Sequence, residues 1–311
     1  MNVRIALASA GLFVPCLLAG ETSVHTAPLD VKQGVPLVRV RIDQQGPFVF
    51  VIDTGTNCDA IVSPRLVKQL GLSTTGRKTI TDLGGHGTHF LDTVDLKMLS
   101  FAGRDFRSVQ AVVTDLPDGD SVLDGVLGFS LFKNQLLTLD YPRHRLTLQE
   151  GTLAGTNANG VMQMRMVHGI PVVEINVAGA RIDAGIDSGG RGLSIPDSLI
   201  SKLRFASSVD TVAFGRTQVS SFPLRGAVLD GAVELAGFRF EHPWLELNPI
   251  FSIANFGSSA MRDFIVTFDQ RSKLIRFVST AKTHHLAKTR DPISASHLDE
   301  LVGTVAVTQT Y

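Results

Sequence analysis

The sequence predicts an all-β protein with two similar lobes of bent, barrel-like antiparallel sheet and a few short helices. Its 311 residues include 29 glycines and 13 prolines, a composition that favours strands and turns over a helical bundle. Segments such as 35–42 alternate apolar and charged residues, which is typical of strands with one buried face. A segment of the same form recurs at 170–177, which indicates that one lobe is repeated within the chain.

Composition excludes several classes of protein. Hydrophobic residues make up 44% and charged residues 19%, enough apolar surface for a sizeable core, so wholesale disorder is not expected. The net charge is +0, which argues against a basic nucleic-acid surface and against a polybasic membrane patch. The two cysteines, Cys16 and Cys58, are too few for a disulfide framework or a multi-cysteine metal site.

The amino-terminal segment is typical of a secretory signal peptide. Arg4 precedes an uncharged run over 5–20, which ends in small residues. That run is short for a membrane span of about 20 residues. We therefore predict a signal peptide over 1–22 and an exported protein, periplasmic or secreted. An uncleaved anchor or a buried helix is the alternative.

The repeat extends through both halves with small shifts in register. The strand at 35–42 precedes a second strand that ends in Asp53, and 170–177 precedes one that ends in Asp187. The aspartates are 187 − 53 = 134 residues apart and the prolines at 36 and 171 are 135 apart, so the one-residue difference falls in the turn between the strands.

Further signals match between the halves. Gly128 and Gly257, each preceded by apolar residues, are 257 − 128 = 129 residues apart. Between the aspartate and this glycine, each half carries a short helix signal that begins near a proline, Pro64 and Pro196. The predicted organisation is a signal peptide over 1–22, lobe one over 23–152, a linker, lobe two over 161–279 and a tail over 280–311.

Each half places an aspartate in a glycine-containing turn after an apolar strand. Asp-Thr-Gly and Asp-Ser-Gly loops at matched positions would bring Asp53 and Asp187 face to face across a pseudo-twofold axis. Two carboxylates in contact share a proton, because both cannot ionise cheaply. The ionised member can then activate a water as general base, and the protonated member can polarise a carbonyl oxygen. A lone Asp-Thr-Gly would more often be an ordinary turn.

The chain resembles the aspartic proteases of the retroviral, retropepsin-like type, with that lobe duplicated in one chain. The resemblance covers most of 35–277 and is carried by 50–56, 126–128, 185–189 and 255–257. It implies a water-dependent aspartic endopeptidase that acts without a cofactor on an extended polypeptide. Because both half-sites lie in one chain, we expect a monomer to suffice. It also implies these site residues: catalytic Asp53 and Asp187; dyad support from Thr54, Gly55, Thr56, Ser188 and Gly189; and threading segments with Leu127, Gly128, Phe256 and Gly257.

The family closes its cleft with a glycine-rich hairpin flap. The residues that resemble it are Gly84, Gly85, His86 and Gly87, and 214–217 is a less glycine-rich candidate in lobe two. His86 and His89 could also be read as metal ligands, but their spacing alone is weak and a flap is the better interpretation. His284 and His285 are expected on the surface.

Three positions depart from the family pattern. Gly190 stands where a hydroxyl or small residue is usual, and Asn255 replaces an apolar threading residue. Asn57 and Cys58 after the first loop are unusual, and Cys58 is expected to be a small buried filler. These departures keep two alternatives open: a catalytically weak or inactive peptide-binding or scaffold protein, and a processing enzyme restricted to one partner.

Overall fold

The computed structural model describes residues 23–31, 34–81, 88–116, 123–156, 158–216 and 221–287. Strands dominate these residues, so the all-β prediction is confirmed. The strands of the first half are β1 (Val24–Pro28), β2 (Leu37–Ile42), β3 (Gln45–Asp53), β4 (Ala60–Val62), β5 (Thr74–Thr81), β6 (Thr88–Phe101), β7 (Arg104–Val113), β8 (Gly125–Gly128), β9 (Leu136–Asp140) and β10 (Arg145–Gln149).

The second half continues the strand numbering. Its strands are β11 (Val161–Gln163), β12 (Arg165–Val167), β13 (Ile170–Val177), β14 (Ala180–Asp187), β15 (Leu193–Pro196), β16 (Asp210–Arg216), β17 (Ser221–Val228), β18 (Ala232–Leu235), β19 (Phe238–Glu241), β20 (Trp244–Asn248), β21 (Ala254–Gly257), β22 (Ile265–Asp269), β23 (Leu274–Val278) and β24 (Thr283–His284). The helices are α1 (Pro64–Leu70) and α2 (Ser258–Met261), with 3₁₀ turns at Phe129–Phe132 and Asp197–Lys202. Among the described residues, no helix has the length and apolar character to cross a membrane.

Lobe one is a barrel. Its strands pair in the order β2-β3-β8-β4-β7-β6-β5, and an additional β2–β6 pairing closes six of them into a circuit. Alternation drives this closure: in β2, Arg39 and Arg41 are exposed while Val38, Val40 and Ile42 are buried. The predicted half-buried strand is thus confirmed.

Lobe two follows the same circuit with broken strands. Its order is β16-β17-β20-β15-β21-β14-β13-β18-β19-β24. The long β6–β7 hairpin of lobe one corresponds to two shorter antiparallel pairs, β18–β19 and β17–β20, with breaks at 229–231 and 242–243. The two lobes therefore share a backbone plan, and lobe two carries it in shorter pieces.

A third sheet joins the lobes. Its six strands run in the order β1-β10-β9-β22-β23-β11, and β9 pairs antiparallel with β22. Thr138 lies opposite Thr267, and their hydroxyl oxygens are 2.9 Å apart. These residues are 267 − 138 = 129 apart, the offset of the second pair of sequence signals. A pseudo-twofold axis therefore passes between the two threonines.

The helix prediction is confirmed in lobe one and modified in lobe two. The Ser63 hydroxyl accepts the Leu66 amide, and Gly71 ends α1 with φ of 63°. Pro196 precedes the equivalent segment, where no side chain caps the first turn, and the segment forms a 3₁₀ turn instead. The missing cap is the physical difference between the two.

The expectation that both histidines of 284–285 lie on the surface is wrong for His284. His285 is exposed, but His284 is 3% exposed, and its ring lies 4.4 Å from that of Phe264. The reason is that β24 pairs with β19, which turns His284 into the aromatic core.

Candidate active site

Both aspartates end a strand beside a threading segment. β3 pairs parallel with β8, which sets Asp53 against Gly128, and β14 pairs parallel with β21, which sets Asp187 against Gly257. A Cβ at Gly128 would lie 1.9 Å from the Cys58 carbonyl oxygen, and one at Gly257 would lie 2.5 Å from the Gly192 carbonyl oxygen. Only glycine therefore allows the threading segments to pass behind the aspartate loops.

Four crossed hydrogen bonds join the two aspartate loops. The Thr54 amide donates to Ser188 Oγ (3.0 Å) and the Ser188 amide donates to Thr54 Oγ1 (2.9 Å). Each hydroxyl then donates to the opposite strand, Thr54 Oγ1 to the Ile186 carbonyl and Ser188 Oγ to the Ile52 carbonyl, both at 2.7 Å. The pattern is symmetric and fully buried, so it holds the two loops together across the pseudo-twofold axis.

The Asp53 carboxylate is held from within its own loop. The Gly55 amide donates to Oδ1 and the Thr56 hydroxyl donates to Oδ2, both at 2.8 Å. Burial is the largest influence on the pKa of Asp53 and raises it well above the ordinary value. The charge of Asp187 and a hydrogen bond between the two side chains raise the Asp53 pKa further. The two carboxyl groups are thus adjacent and interact.

The Asp187 carboxylate has different partners. The Gly190 amide donates to Oδ1 (2.9 Å), and the side-chain amide of Asn255, on β21, donates to Oδ2 (2.7 Å). Lobe two therefore supplies from a neighbouring strand the contact that Thr56 supplies from within the loop in lobe one. The departure at Asn255 does not leave Asp187 unsupported.

The strand walls beside the two aspartates differ in polarity. In each lobe, one residue from each of five neighbouring strand segments lies opposite the next, and together they form a row across the sheet. Each row begins two residues before an aspartate, and we call it the wall row of that lobe. The wall row of lobe one consists of Val51, Val126, Ile61, Val112 and Thr93. The wall row of lobe two consists of Gly185, Asn255, Ser194, Glu246 and Gly226.

A hydroxyl relay supports the second loop and is not evident from the sequence. Ser258 Oγ donates to the Ser188 carbonyl (2.6 Å) and lies 3.0 Å from the buried Tyr141 hydroxyl. Burial raises the pKa of Tyr141, which keeps that hydroxyl neutral. The only sequence signal for the relay is a serine directly after Gly257, where lobe one has Phe129.

Most predicted site residues meet at the paired loops. Asp53, Asp187, Thr54 and Ser188 touch directly, and the threading segments with Leu127, Gly128, Phe256 and Gly257 flank them. Gly55 and Thr56 hold Asp53 as described above, whereas Gly190, rather than Gly189, supplies the amide that binds Asp187 Oδ1. The predicted flap residues Gly84, Gly85, His86 and Gly87 lie outside the described residues.

Cys58 is confirmed as a buried filler. It is 9% exposed, its Sγ donates to the Ala60 carbonyl, and burial raises its pKa to about 12. The thiol is therefore neutral and unreactive at physiological pH. Within the described part of the chain, no three His, Cys, Asp or Glu side chains are grouped so that they could hold a metal ion.

The comparison with known proteins bears on the first of the two aspartate loops. Residues 38–131 match the family model described as aspartyl protease. That match confirms the predicted resemblance for the part of the chain containing Asp53, and it supports hydrolase activity at the level of the family. A search of curated proteins gives no match to the chain.

Proposed function

We propose that the protein is an aspartic endopeptidase in which Asp53 and Asp187 form the catalytic dyad. The observation that carries the proposal is the set of four crossed hydrogen bonds between the Asp-Thr-Gly and Asp-Ser-Gly loops. They hold the two carboxyl groups close enough for the charge of Asp187 to contribute to the raised pKa of Asp53. The uncharged run over 5–20 supports the further proposal that the enzyme is exported.

The chemistry follows from one shared proton. The ionised carboxylate takes a proton from a water held between the pair, and the water oxygen attacks the carbonyl carbon of the peptide bond. The protonated carboxyl donates to the carbonyl oxygen as negative charge develops there. The tetrahedral intermediate then collapses as the amide nitrogen receives a proton. An acid and an amine leave, and the dyad regains its single proton.

The geometry supports an extended polypeptide as substrate and a monomer as the active form. Each lobe has a hairpin, β5–β6 and β16–β17, whose first strand lies at the end of its sheet, and such an edge strand can pair with an extended backbone, as in strand addition. One chain contributes both aspartates, so a second copy is not required. Polar and apolar wall rows on opposite sides of the dyad suggest different side-chain preferences on the two sides of the scissile bond.

Cleavage of a mixed peptide library from about pH 3 to pH 7 tests the proposal, since that range spans the bell expected of a carboxyl pair. We expect wild type to cleave with an acidic optimum and pepstatin to inhibit it. Asp53→Asn and Asp187→Asn should each lower kcat by roughly a thousand-fold or more. Asp183→Asn is the matched control, because Asp183 lies on the same strand as Asp187 but pairs with Arg165.

The variants also separate the alternatives. Activity that survives Asp187→Asn would show that lobe two is not a catalytic half. A folded wild type that binds pepstatin but cleaves no peptide would favour a binding module or a single-substrate enzyme.

A further inference from the structure

The Oδ2 oxygens of the two proposed catalytic carboxylates are held by different kinds of donor. Asp53 Oδ2 accepts from the Thr56 hydroxyl at 2.8 Å, three residues along the same loop. Asp187 Oδ2 accepts from the Asn255 amide at 2.7 Å, 68 residues along the chain on β21. The two aspartates therefore accept a hydrogen bond at the same oxygen, from a hydroxyl in lobe one and from a side-chain amide in lobe two.

The exchange of donors depends on the glycine at position 190. Gly190 is the counterpart of Thr56, since 190 − 56 = 134. A Cβ at Gly190 would lie 2.6 Å from Asp187 Oδ2 and 2.7 Å from Asn255 Nδ2. A threonine at 190 therefore cannot coexist with this placement of Asn255. The two departures from the family pattern are one coupled change.

The lobe-one counterpart of Asn255 is Val126. Strand pairing establishes this, because Val51 lies opposite Val126 and Gly185 lies opposite Asn255 in equivalent parallel pairs. Lobe one thus combines a threonine in the loop with a valine on the threading strand. Lobe two combines a glycine in the loop with an asparagine on that strand.

A hydroxyl and a side-chain amide nitrogen differ in which protonation state of a neighbouring carboxyl group they can hydrogen-bond. The Thr56 hydroxyl can donate to an ionised carboxylate or rotate to accept from a protonated one. The Asn255 nitrogen can only donate, so it favours negative charge on Asp187 Oδ2. The two half-sites are therefore not interchangeable as acid and base.

We propose that Asn255 is a positioning residue that keeps Asp187 ionised, which makes Asp187 the general base and Asp53 the member that carries the shared proton. The assignment of acid and base rests on the proposed function, whereas the hydrogen bond between Asn255 and Asp187 does not. The raised pKa of Asp53 agrees with this assignment, because it favours the protonated form of that carboxyl group. The inference assigns to lobe two the task of activating the water.

Other ionisable groups lie close to the pair in sequence, contact or strand register. Among the described residues they include Tyr141, Cys58, Asp59, Arg191 and Glu246. Burial raises the pKa values of Tyr141 and Cys58, so both stay neutral in acid. Asp59 accepts from Ser130, Arg191 is exposed, and Glu246 lies one strand beyond Ser194 in the wall row. Glu246→Gln is therefore a necessary comparison.

The test compares Asn255→Val with wild type by two readouts. The first is the pH dependence of kcat and kcat/KM. The second is a titration of ¹³C-labelled aspartate carboxyl groups by NMR in the resting protein, which requires no activity. Loss of a donor to a carboxylate raises the pKa for its ionisation, so we expect the acidic limb to move to higher pH by about one to two units. We expect kcat to fall by roughly ten- to a hundred-fold, with little change in KM.

The swap of both positions makes the test specific. Gly190→Thr alone should be the most impaired variant, because its Cβ meets both Asp187 and Asn255. Gly190→Thr combined with Asn255→Val rebuilds the arrangement of lobe one and should recover activity relative to Gly190→Thr alone. Asn255→Asp, which has nearly the same shape but lacks the donor, should shift the acidic limb at least as far as Asn255→Val.

Asn57→Ala is the control for a nearby asparagine. Its side chain donates to the His168 carbonyl rather than to either carboxylate, so the pH profile should not move. An unshifted acidic limb and an unshifted titration in folded Asn255→Val would overturn the inference, as would an equal shift in Asn57→Ala or Glu246→Gln. If Asn255→Val does not fold, failure of the double swap to recover activity overturns the inference.

The two readouts keep the inference separate from the proposed function. A shifted titration in a protein that cleaves nothing would leave the positioning contact standing and reject the endopeptidase. Cleavage by Asn255→Val with an unaltered pH dependence would support the endopeptidase and reject the role proposed for Asn255.

Discussion

The two aspartate loops are nearly symmetric, whereas the strand walls beside them are not. The crossed hydrogen bonds repeat across the axis with the same donors and acceptors and with distances of 2.7–3.0 Å. Beside Asp53 the wall row of lobe one is apolar apart from Thr93, whereas the wall row of lobe two offers an amide, a hydroxyl and a carboxylate between glycines. Side-chain symmetry around the aspartates is thus retained where the two loops contact each other and lost in the strand walls.

The difference has a physical basis. Main-chain groups and two short hydroxyls make the crossed bonds, and no alternative pairing satisfies those buried groups. The wall residues take no part in the crossed hydrogen bonds, so each wall could change as long as its own carboxylate kept a donor. Lobe two meets that condition through Asn255. We therefore expect substitutions at the loops to act alike in both halves and substitutions in the walls to act differently.

The largest effect is expected where the threading segments pass behind the loops. Gly128→Ala and Gly257→Ala each force a Cβ against a carbonyl oxygen, at 1.9 Å and 2.5 Å. We expect each to lower the free energy of unfolding by about 3 kcal/mol or more, with Gly128→Ala the worse, because main chain must move. Urea denaturation measures this. Gly155→Ala is the control, since a Cβ there has open space; an equal effect at Gly155 would contradict the steric argument.

The crossed hydroxyls should give the next largest effect, equal in both lobes. Thr54→Val and Ser188→Ala each leave a buried amide and a buried carbonyl without a partner, which costs about 2–4 kcal/mol. Both variants should also lose activity, since the carboxyl groups are no longer held together. Thermal and urea unfolding measure the stability. A loss confined to one variant would show that the axis is less symmetric than the hydrogen bonds indicate.

Much of the fold could be predicted because repeats and alternation act locally. The strand at 170–177 coincides with β13, and the matched aspartates and glycines fall where the parallel pairs meet. The break of the long hairpin in lobe two could not be predicted, since it depends on long-range contacts such as that between the Asp230 amide and the Arg204 carbonyl.

The site could be predicted only as far as its residues are neighbours in sequence. Thr56 is recognisable because it lies three residues from Asp53. The sequence alone shows Asn255 only as a departure in the threading segment, because its contact with Asp187 depends on pairing between strands 68 residues apart. Gly190 is a second departure in the sequence, and in the structure it provides the space for Asn255.

The pH dependence of stability should expose the asymmetry between the two carboxyl groups. The pKa of Asp53 is raised in the folded protein, so the folded state binds a proton that the unfolded state has released above about pH 4. Stability therefore falls as pH rises from there through the folded pKa. Asp53→Asn should remove this fall and unfold at higher urea concentration than wild type at neutral pH. Each unit of pKa shift contributes about 1.4 kcal/mol.

Asp183→Asn serves as the reference for that measurement, because its carboxylate is paired on the surface. A wild-type stability that stays level between pH 4 and pH 7, or an Asp53→Asn variant that falls in parallel with it, would show that Asp53 does not hold the proton.

The smallest effect is expected at Ser194, in the middle of the wall row of lobe two. It is 5% exposed, and among the described residues its hydroxyl has no hydrogen-bond partner, whereas its counterpart Ile61 lies in an apolar cluster. Removing an unpaired buried hydroxyl relieves its desolvation, so Ser194→Ala should raise the free energy of unfolding by about 1 kcal/mol. Urea denaturation at neutral pH measures the change. A loss of stability would instead mean that the hydroxyl is satisfied within the polar wall, and that this wall is held together by more than the contact between Asn255 and Asp187.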